Sequence, residues 1–324
     1  MTTTLIPGIY TDYNITGVRY AGAYSAAGLI TVNNDAESGA YSITSVAEAS
    51  QIFGDDADET KLCSVMFLNG VKVVKAAVAS TYAAACALIL EQNDVTCFVM
   101  TNATAQNLTA VKTALTGAGE NGKYRVCFAD IEGTAQAMCT LAEGVDHEQF
   151  CLCAGAFGGA AAICAMSASQ ADPAIPFSGA KIAGASCEEN FTDSQLELLL
   201  SSGVTPLCRI GGETEIVRAV TANSSDLVWR ELNTILIVCD VIPDMKSVLK
   251  AMFTRAKNTA ATRGAVRTQV MIELDRKKDA GIIDDYGNVT VTQNANDPTV
   301  CDVGFEFTAA AGMQQLILSA YITV

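Results

Sequence analysis

The strongest constraint on the fold is a regular alternation of β-rich runs with helix-length segments, which starts at Val71. The successive pairs are VKVVKA and TYAAACALILEQ, VTCFVMT and NLTAVKTALTGAG, YRVCFADI and TAQAMCTLAEG, and EQFCLCAG and GGAAAICAMSASQ. The cores of the β-rich runs are mostly apolar, which is typical of strands that are buried on both faces. Because a helix-length segment follows each strand, the sequence predicts an α/β domain with a mostly parallel sheet and helices on both faces.

The pattern changes after a proline-containing loop, ADPAIPFSGAKIAG. The segment TDSQLELLLSSG predicts a short helix that Thr192 or Asp193 caps and that Gly203 ends. Two strands, VTPLCRI and TEIVRAVT, are predicted next. Gly211 and Gly212 lie between them and favour a hairpin turn.

The region after Asp226 predicts an α+β domain. The run NTILIV is interpreted as a strand and Asp240–Lys257 as an amphipathic helix, followed by a second helix over Arg263–Ala280 that Gly281 ends. In TVCDVGFEFT, apolar and polar residues alternate, which is typical of a strand with one buried face. The apolar positions of the first of these helices are Val241, Met245, Val248, Leu249, Met252, Phe253 and Ala256.

Both ends of the sequence contain extended, strand-like segments. TLIPGIYTDYNITGVRY has no helical period, and MQQLILSAYITV alternates like a strand that needs a sheet to join. We therefore divide the chain into an N-terminal arm (residues 1–21), a central α/β domain (22–225), a C-terminal α+β domain (226–312) and a C-terminal arm (313–324). From the residues alone, the last segment pairs either within its own domain or with another copy of the chain.

The charge distribution argues against nucleic acid binding and membrane insertion. The 324 residues include 35 acidic and 20 basic side chains, and the net charge of −15 opposes binding to phosphates or to an anionic membrane. Residues 246–278 differ, because nine basic and two acidic residues give them a charge of +7 and leave −22 for the rest. No signal peptide is evident. The uncharged run Phe150–Met166 is mainly Ala and Gly and is too short for a membrane span.

Twelve cysteines are spread from Cys63 to Cys301, mostly within apolar runs such as VTCFVM and ILIVCD. We interpret them as buried, reduced thiols of a cytosolic product rather than as a disulfide framework. Cys151 and Cys153 form a C-x-C pair. Because no second pair or histidine cluster is near them in the sequence, no metal site is predicted.

The sequence contains no arrangement of residues that predicts catalysis. His147 is the only histidine and is interpreted as a solvated surface residue, and no G-x-S-x-G elbow surrounds Ser186 or any other serine. The run GAFGGAAA matches neither phosphate-binding glycine motif, so its small residues are assigned to close helix packing. The acidic clusters, interpreted as solvated turns, are Asp55, Asp56, Asp58 and Glu59, and Asp284 with Asp285. We therefore predict no catalytic residue, no cofactor and no metal site.

The order of several segments resembles that of the contractile tail sheath proteins of bacteriophages and phage-like particles. These segments are LIPGIYTDYN, ADPAIPFSGAKIAG, SGVTPLCRIGGETEIVRAVT, LNTILIVCDVIPDMKSVLKAMFTRAKN and the final strand-like runs, so that the resemblance covers nearly the whole chain. It implies that the central domain is a subtilisin-like sheath core without protease activity. Because VKVVKAAVAS leads directly into a helix, the chain resembles a compact member that lacks the inserted outer domain of larger sheath proteins.

The resemblance also implies a role for the two arms. In sheath assemblies the arms cross to neighbouring subunits and complete their sheets, and an unpaired apolar strand edge is a template for such strand addition. Linkers near Tyr20–Ala26 and before Met313 are then expected to act as hinges. The residues expected to exchange between subunits are Ile6, Ile9, Tyr10, Leu316, Leu318, Tyr321, Ile322 and Val324.

The basic segment has two interpretations. Family members line an inner tube with their C-terminal region, which implies salt-sensitive contacts between an acidic inner tube protein and the basic side chains. The alternative is a solvated helix face that balances the acidic remainder of the chain. The expected tube-contact residues are Lys246, Lys250, Arg255 and Lys257.

The resemblance implies a structural function. The expected protein is a sheath subunit that forms a helical homo-oligomer of stacked rings, also contacts baseplate and tail terminator proteins, and contracts to drive the tube through a cell envelope. It is expected to assemble in the bacterial host cytoplasm and to reside in the tail of a virion or phage-like particle, such as a tailocin. The competing class is a cytosolic α/β enzyme that binds a small ligand at the carboxyl ends of the parallel strands.

Overall fold

A computed structural model describes residues 26–33, 35–120, 123–187, 190–253 and 255–314. Thirteen strands lie in this part of the chain. They are β1 (Ala26–Thr31), β2 (Gly39–Ile43), β3 (Val73–Val78), β4 (Val95–Met100), β5 (Val126–Ile131), β6 (Phe150–Ala154), β7 (Ala156–Phe157), β8 (Lys181–Ile182), β9 (Ser186–Cys187), β10 (Val204–Ile210), β11 (Glu213–Ile216), β12 (Ile283–Gln293) and β13 (Cys301–Ala309).

Nine of these strands form one sheet in the order β2-β3-β1-β4-β5-β6-β10-β11-β8. The strands from β3 to β10 in this order run parallel, and β2, β11 and β8 are antiparallel additions at the two sides. The prediction of a large, mostly parallel sheet is therefore confirmed. β10 and β11 form the predicted hairpin, with Gly211 and Gly212 at φ values of 62° and 92°. The alternating pattern begins only at Val71, so the sequence analysis missed β1 and β2.

The helices are distributed over both faces of this sheet, as predicted. Among the described residues there are nine α-helices. They are α1 (Val46–Phe53), α2 (Asp58–Leu68), α3 (Tyr82–Leu90), α4 (Ala105–Glu120), α5 (Ala135–Val145), α6 (Gly159–Ser169), α7 (Asp193–Ser201), α8 (Leu232–Phe253) and α9 (Ala260–Asp279).

The side chains of the parallel strands alternate between two apolar cores. In β4, Cys97 and Val99 belong to the first core, whereas Phe98 and Met100 belong to the second. The first core also contains side chains of α1, α2 and α6, and the second contains side chains of α3, α4, α5 and α7. Burial on both faces explains why each strand is a nearly continuous apolar run in the sequence.

Threonine caps begin several of the helices. The side-chain oxygens of Thr81, Thr134 and Thr192 each accept a hydrogen bond from the backbone amide three residues later. Thr192 forms a complete capping box with Gln195, which confirms the predicted start of α7. Gly203 follows this helix at a φ of 82°, a left-handed conformation that glycine adopts without strain, and confirms its predicted end.

The prediction of a strand at NTILIV is wrong, because this run lies within α8. The β-branched residues favour a strand locally, but one face of the run is buried at helical spacing, and tertiary packing overrides the local preference. The residues of this face, all buried in the first core, are Leu232, Ile235, Leu236 and Cys239. The predicted Asp240–Lys257 helix thus begins earlier, at Leu232, and ends earlier, at Phe253.

The second half of α8 belongs to a third core, which it shares with α9 and with β12 and β13. Pro243 lies inside the helix, where it removes one backbone hydrogen bond. The ammonium group of Lys277 on α9 contacts the carboxylates of Asp240 and Asp244 on α8, with 2.7 Å between Lys277 Nζ and Asp244 Oδ2. The predicted second helix is confirmed as α9. Because α8 contributes to both the first and the third core, this one continuous helix connects the large sheet to the C-terminal elements.

A half-buried aspartate connects β5 to the start of α6. Asp130 accepts hydrogen bonds from the backbone amides of Gly158 (2.8 Å) and Ala160 (2.7 Å). Gly159, between them, packs so closely on Leu207 that a Cβ would overlap it, which supports the interpretation that GAFGGAAA permits close packing. Burial raises the pKa of Asp130 to about 7, and the two amide hydrogen bonds only partly oppose this shift.

Gly28 in β1 lies where a larger side chain does not fit. A Cβ at this position would lie 2.5 Å from Phe98 Cβ on the neighbouring strand β4. We expect Gly28→Ala to lower the free energy of unfolding by roughly 1–3 kcal/mol, the usual cost of overpacking a core, as measured by chemical denaturation. The control is Gly39→Ala on the edge strand β2, where nothing lies within 4 Å of the new Cβ. Equal losses in the two variants would contradict this explanation.

The raised pKa of Asp130 predicts a specific pH dependence of stability. Between the ordinary carboxyl value of 3.8 and the folded value of about 7, the folded state binds more protons than the unfolded state. Stability from this group is therefore greatest at acidic pH and is lost as the pH rises through 7. Relative to Asp130→Asn, the wild-type free energy of unfolding should fall by roughly 1.4 kcal/mol per pH unit across this window. A difference that is flat, or that grows with pH, in denaturation curves would refute the assignment.

Candidate assembly surfaces

β12 and β13 form a separate antiparallel sheet of two strands. The residues of β13 alternate between half-buried and exposed, as TVCDVGFEFT predicts. Phe305 and Phe307 on its inner face pack against the third core, and their rings stack with centroids 6.3 Å apart. Within the described ranges no further strand pairs with β12 or β13, so each has an open backbone edge. Such edges are suited to pairing with a strand from another chain.

The residues predicted to exchange between subunits lie outside the described residues. Ile6, Ile9 and Tyr10 belong to residues 1–25, and the predicted C-terminal exchange residues belong to residues 315–324. Strand exchange therefore stays a prediction. The structure does describe the chain between β13 and the C-terminal arm, as far as Gln314.

The four residues predicted to contact an inner tube are all exposed. Lys246 and Lys250 lie in the last turns of α8, whereas Arg255 and Lys257 follow the end of the helix at Phe253. Lys257, predicted to lie in the Asp240–Lys257 helix, therefore lies beyond the end of α8. Arg255 has a φ of 78°, which is uncommon for a residue other than glycine and costs about 1 kcal/mol.

Several basic side chains of α9 contact groups of the same chain. Lys278 pairs with Asp285 at 2.8 Å, and Arg267 Nε donates to the Val289 carbonyl at 3.0 Å. Arg276 pairs with Glu273 at 2.8 Å. For α9, the alternative reading of the basic segment, in which it balances acidic groups of the same chain, therefore agrees with the structure.

Two sequence interpretations of polar residues are wrong. Glu59 is buried rather than part of a solvated turn, and its carboxylate accepts hydrogen bonds from Thr31 Oγ1 (2.6 Å) and Asn33 Nδ2 (3.2 Å). The side chain of His147 is only 12% exposed, and its Nδ1 accepts a hydrogen bond from the Gln149 amide, so it is not a solvated surface residue. Burial lowers the pKa of His147.

The other acidic residues of the two predicted clusters lie in a strand, in a turn and at the start of a helix. Asp284 and Asp285, predicted to lie in a turn, are exposed residues of β12. Asp55 and Asp56 do lie in an exposed turn between α1 and α2, as predicted, and Asp58 begins α2.

A cleft of about 900 Å³ lies at the carboxyl ends of β5 and β6, where α/β enzymes bind small ligands. Asp130, Glu132 and Ser186 line it, but both oxygens of Asp130 already accept hydrogen bonds from the start of α6. His147 precedes β6 and therefore lies at the amino end of that strand. The cleft and the only histidine of the sequence are thus at opposite ends of the sheet, which disfavours a Ser-His pair there.

The burial of most of the cysteine side chains agrees with the sequence interpretation. All twelve cysteines are free, and ten of them are buried. Cys151 Sγ and Cys153 Sγ are 3.9 Å apart on one face of β6. Over the described ranges, no group of three or more His, Cys, Asp or Glu residues has an arrangement that could hold a metal ion. None of the helices in these ranges has the length and apolar character needed to cross a membrane.

Comparisons with known proteins give one family match and several structures of similar fold. Residues 224–323 match the phage tail sheath C-terminal domain family. The fold is similar to that of a chain in the anti-feeding prophage (AFP) baseplate (TM-score 0.76, 17% identity, 99% of this chain and 100% of that chain). It is also similar to the AFP helical sheath in its contracted state (0.75, 16%, 98% and 99%). A third similar structure is the sheath tail protein from Desulfitobacterium hafniense (0.67, 9%, 93% and 100%). No curated protein matches the chain in sequence.

The family match and the structural similarity cover different parts of the chain. The family match includes α8, α9, β12 and β13, which form the third core and the open two-stranded sheet. The structural similarity extends over nearly the whole chain, including the large sheet. Residues 224–323 thus match the phage tail sheath C-terminal domain family, and the fold of the chain is similar to that of solved sheath proteins.

Proposed function

We propose that the chain is the repeating subunit of a contractile tail sheath, which polymerises as a helical sleeve around an inner tube and contracts to drive the tube through a cell envelope. The observation that carries this proposal is the match of residues 224–323 to the sheath C-terminal domain family. The similarity of the whole fold to the AFP helical sheath in its contracted state supports it. The enzyme alternative has no comparable support, since the carboxyl-end cleft holds a carboxylate that is already hydrogen-bonded within the fold.

In this proposal the subunits are linked by strand exchange. The two-stranded sheet of β12 and β13 is the acceptor, because both of its strands have open edges among the described residues. The strand-like arms of neighbouring copies are the donors. Each copy would then donate an arm to one neighbour and accept an arm from another neighbour at its two-stranded sheet. Such a heterologous contact, when it does not close on itself, generates a helix of subunits.

Contraction would proceed by movement of subunits as rigid bodies while the exchanged strands stay paired. The continuous α8 and the contacts of Lys277 with Asp240 and Asp244 hold the C-terminal elements to the large sheet, so a subunit can rotate as one unit. The free energy would come from the rearrangement of contacts between subunits. Hinges would lie in the arms, including the residues near Tyr20–Ala26.

The proposed partners are other copies of the chain, in stacked rings, together with an inner tube protein, a baseplate and a tail terminator. The proposed tube-contact surface consists of Lys246, Lys250, Arg255 and Lys257, all of which are exposed. The strained φ of Arg255 supports a role for this residue beyond the fold, because glycine would occupy the same position without strain. We also propose assembly in the cytoplasm of a bacterial host and a final location in a virion or phage-like tail.

Deletion of Leu316–Val324 should abolish polymerisation and leave a folded subunit. The reason is that these residues would complete the sheet of a neighbour rather than the core of their own chain. Sedimentation measures the polymer, and thermal unfolding with circular dichroism measures the fold.

The matched point variants are Leu318→Asp and Ser319→Asp, which a strand would place on opposite faces. Only Leu318→Asp should prevent polymerisation, since its carboxylate would lie on the apolar face. If the deletion unfolded the subunit, the segment would belong to its own domain and strand exchange would be rejected.

Charge reversal at Lys250 and Lys257 should weaken attachment to the tube. Exposed ion pairs contribute only about 0.2–1 kcal/mol each, but the contact repeats in every subunit of the sleeve. We expect less sheath to co-sediment with tubes for Lys250→Glu with Lys257→Glu, and a weaker dependence on salt.

The control is Lys61→Glu with Lys72→Glu, which makes the same change in net charge at two exposed positions of α2 and the following turn. Attachment should be unchanged in this control. Equal attachment of the two double variants would refute the proposed tube surface, while the sheath function would stand if polymers still formed.

A further inference from the structure

Three residues of the chain that follows β13 make contacts with the rest of the fold. The amide of Ala310 donates to the Ile282 carbonyl at 3.2 Å, which extends the end of the two-stranded sheet. Gly312 lies against the ring of Pro176. The Gln314 side chain accepts a hydrogen bond from Ser178 Oγ and donates one to Glu231 Oε2 at 2.9 Å. We name residues 310–314 the latch segment.

The groups that receive the latch segment are themselves held by the fold. Pro176 and Ser178 flank Phe177, which is 1% exposed in the first core. Asn233 Nδ2 donates to two carbonyls of the same loop, at 2.7 Å each, and the Gly179 amide donates to the Ile216 carbonyl at 2.7 Å. The receiving surface is therefore a rigid part of the body that contains the large sheet.

Glu231 is fixed independently of the latch segment. Its second oxygen, Oε1, pairs with Arg218, and its backbone forms a bridge with Val220 next to the large sheet. The carboxylate thus presents Oε2 to Gln314 in a set direction. A hydrogen bond to a charged acceptor is stronger than a neutral one.

The close approach at Gly312 indicates that the segment is fitted to this surface. A Cβ on Gly312 would lie 3.0–3.2 Å from three carbons of the Pro176 ring. A proline ring cannot rotate away, so a larger residue would push the segment outward. Met313, between the two contact residues, is 74% exposed, which shows that the segment is held by alternate residues.

We propose that the latch segment pins the base of the C-terminal arm to the large-sheet body and so pre-organises the arm for capture by a neighbouring subunit. This inference rests on the proposed sheath function. Ordering the arm before assembly reduces the conformational entropy lost on binding. In this proposal the hinge expected before Met313 would not bend in the unassembled subunit, because the latch segment holds the chain as far as Gln314.

Each hydrogen bond of Gln314 has a defined donor and acceptor, so substitutions can remove or exchange them. Gln314 is a donor toward Glu231 and an acceptor toward Ser178. Gln314→Glu removes the donor and places two carboxylates together, whereas Gln314→Ala removes the contact alone. Glu231→Gln keeps an acceptor for Gln314. Combined with Gln314→Glu, it supplies an amide donor for the new carboxylate and restores the hydrogen bond between positions 314 and 231 with donor and acceptor exchanged, while Ser178 Oγ still donates to position 314.

The test measures the critical concentration for polymerisation of the full chain by sedimentation. Gln314→Ala should raise it about tenfold, the effect of losing one hydrogen bond to a charged group, and Gln314→Glu should raise it further. The double variant with Glu231→Gln should return it to the level of Glu231→Gln alone. Gln315→Ala changes the adjacent glutamine and should have little effect.

A nitroxide on Met313→Cys, in a background where Cys187 and Cys301 are serine, reports on the base of the arm in the unassembled subunit. Its motion should be restricted in the wild-type background and freer with Gln314→Ala. Unchanged polymerisation of the Gln314 variants, or failure of the double variant to recover, would overturn the latch. If the wild-type chain forms no polymer, the proposed sheath function fails. The spin label then still tests the latch contact, because it measures the motion of position 313 in the unassembled subunit.

Discussion

The burial of α8 in two cores is the interaction on which the rest of the structure depends. Its first half completes the core of the large sheet, and its second half forms the third core with α9 and the two-stranded sheet. A two-stranded sheet is marginal by itself in water, so β12 and β13 need this support. The same helix also fixes the direction in which their open edges face relative to the large sheet.

Open edges place a second physical requirement on the molecule. Each unpaired strand leaves a row of backbone donors and acceptors exposed, and soluble proteins usually protect such edges. β13 alternates half-buried with exposed residues, and both strands carry acidic side chains, which limits indiscriminate pairing. In the proposed sheath function these edges stay available for a strand of the right sequence, and the latch segment would deliver one such strand from a constant position.

The sequence predicted the parts of the fold in which one pattern dominates. The four strand–helix pairs after Val71, the Thr192 cap and the alternating β13 were all identified correctly. NTILIV was not, because its β-branched residues and its helical burial give opposite signals, and only the tertiary contacts of Ile235 and Leu236 decide between them. The burial of Glu59 and the contacts of Gln314 depend on residues 28 and 83 positions away, at Thr31 and Glu231, which no local pattern contains.

Two carboxylates at the carboxyl edge of the large sheet are held by contacts within the fold. Asp130 accepts hydrogen bonds from the start of α6, and Glu59 accepts them from Thr31 and Asn33. An enzyme would direct such groups toward a ligand. Here the carboxyl edge stabilises the body, and the surfaces suited to partners are the open sheet and the base of the arm. A fold does not determine the function of a protein. In this chain the open edges of β12 and β13 support the proposed assembly of subunits.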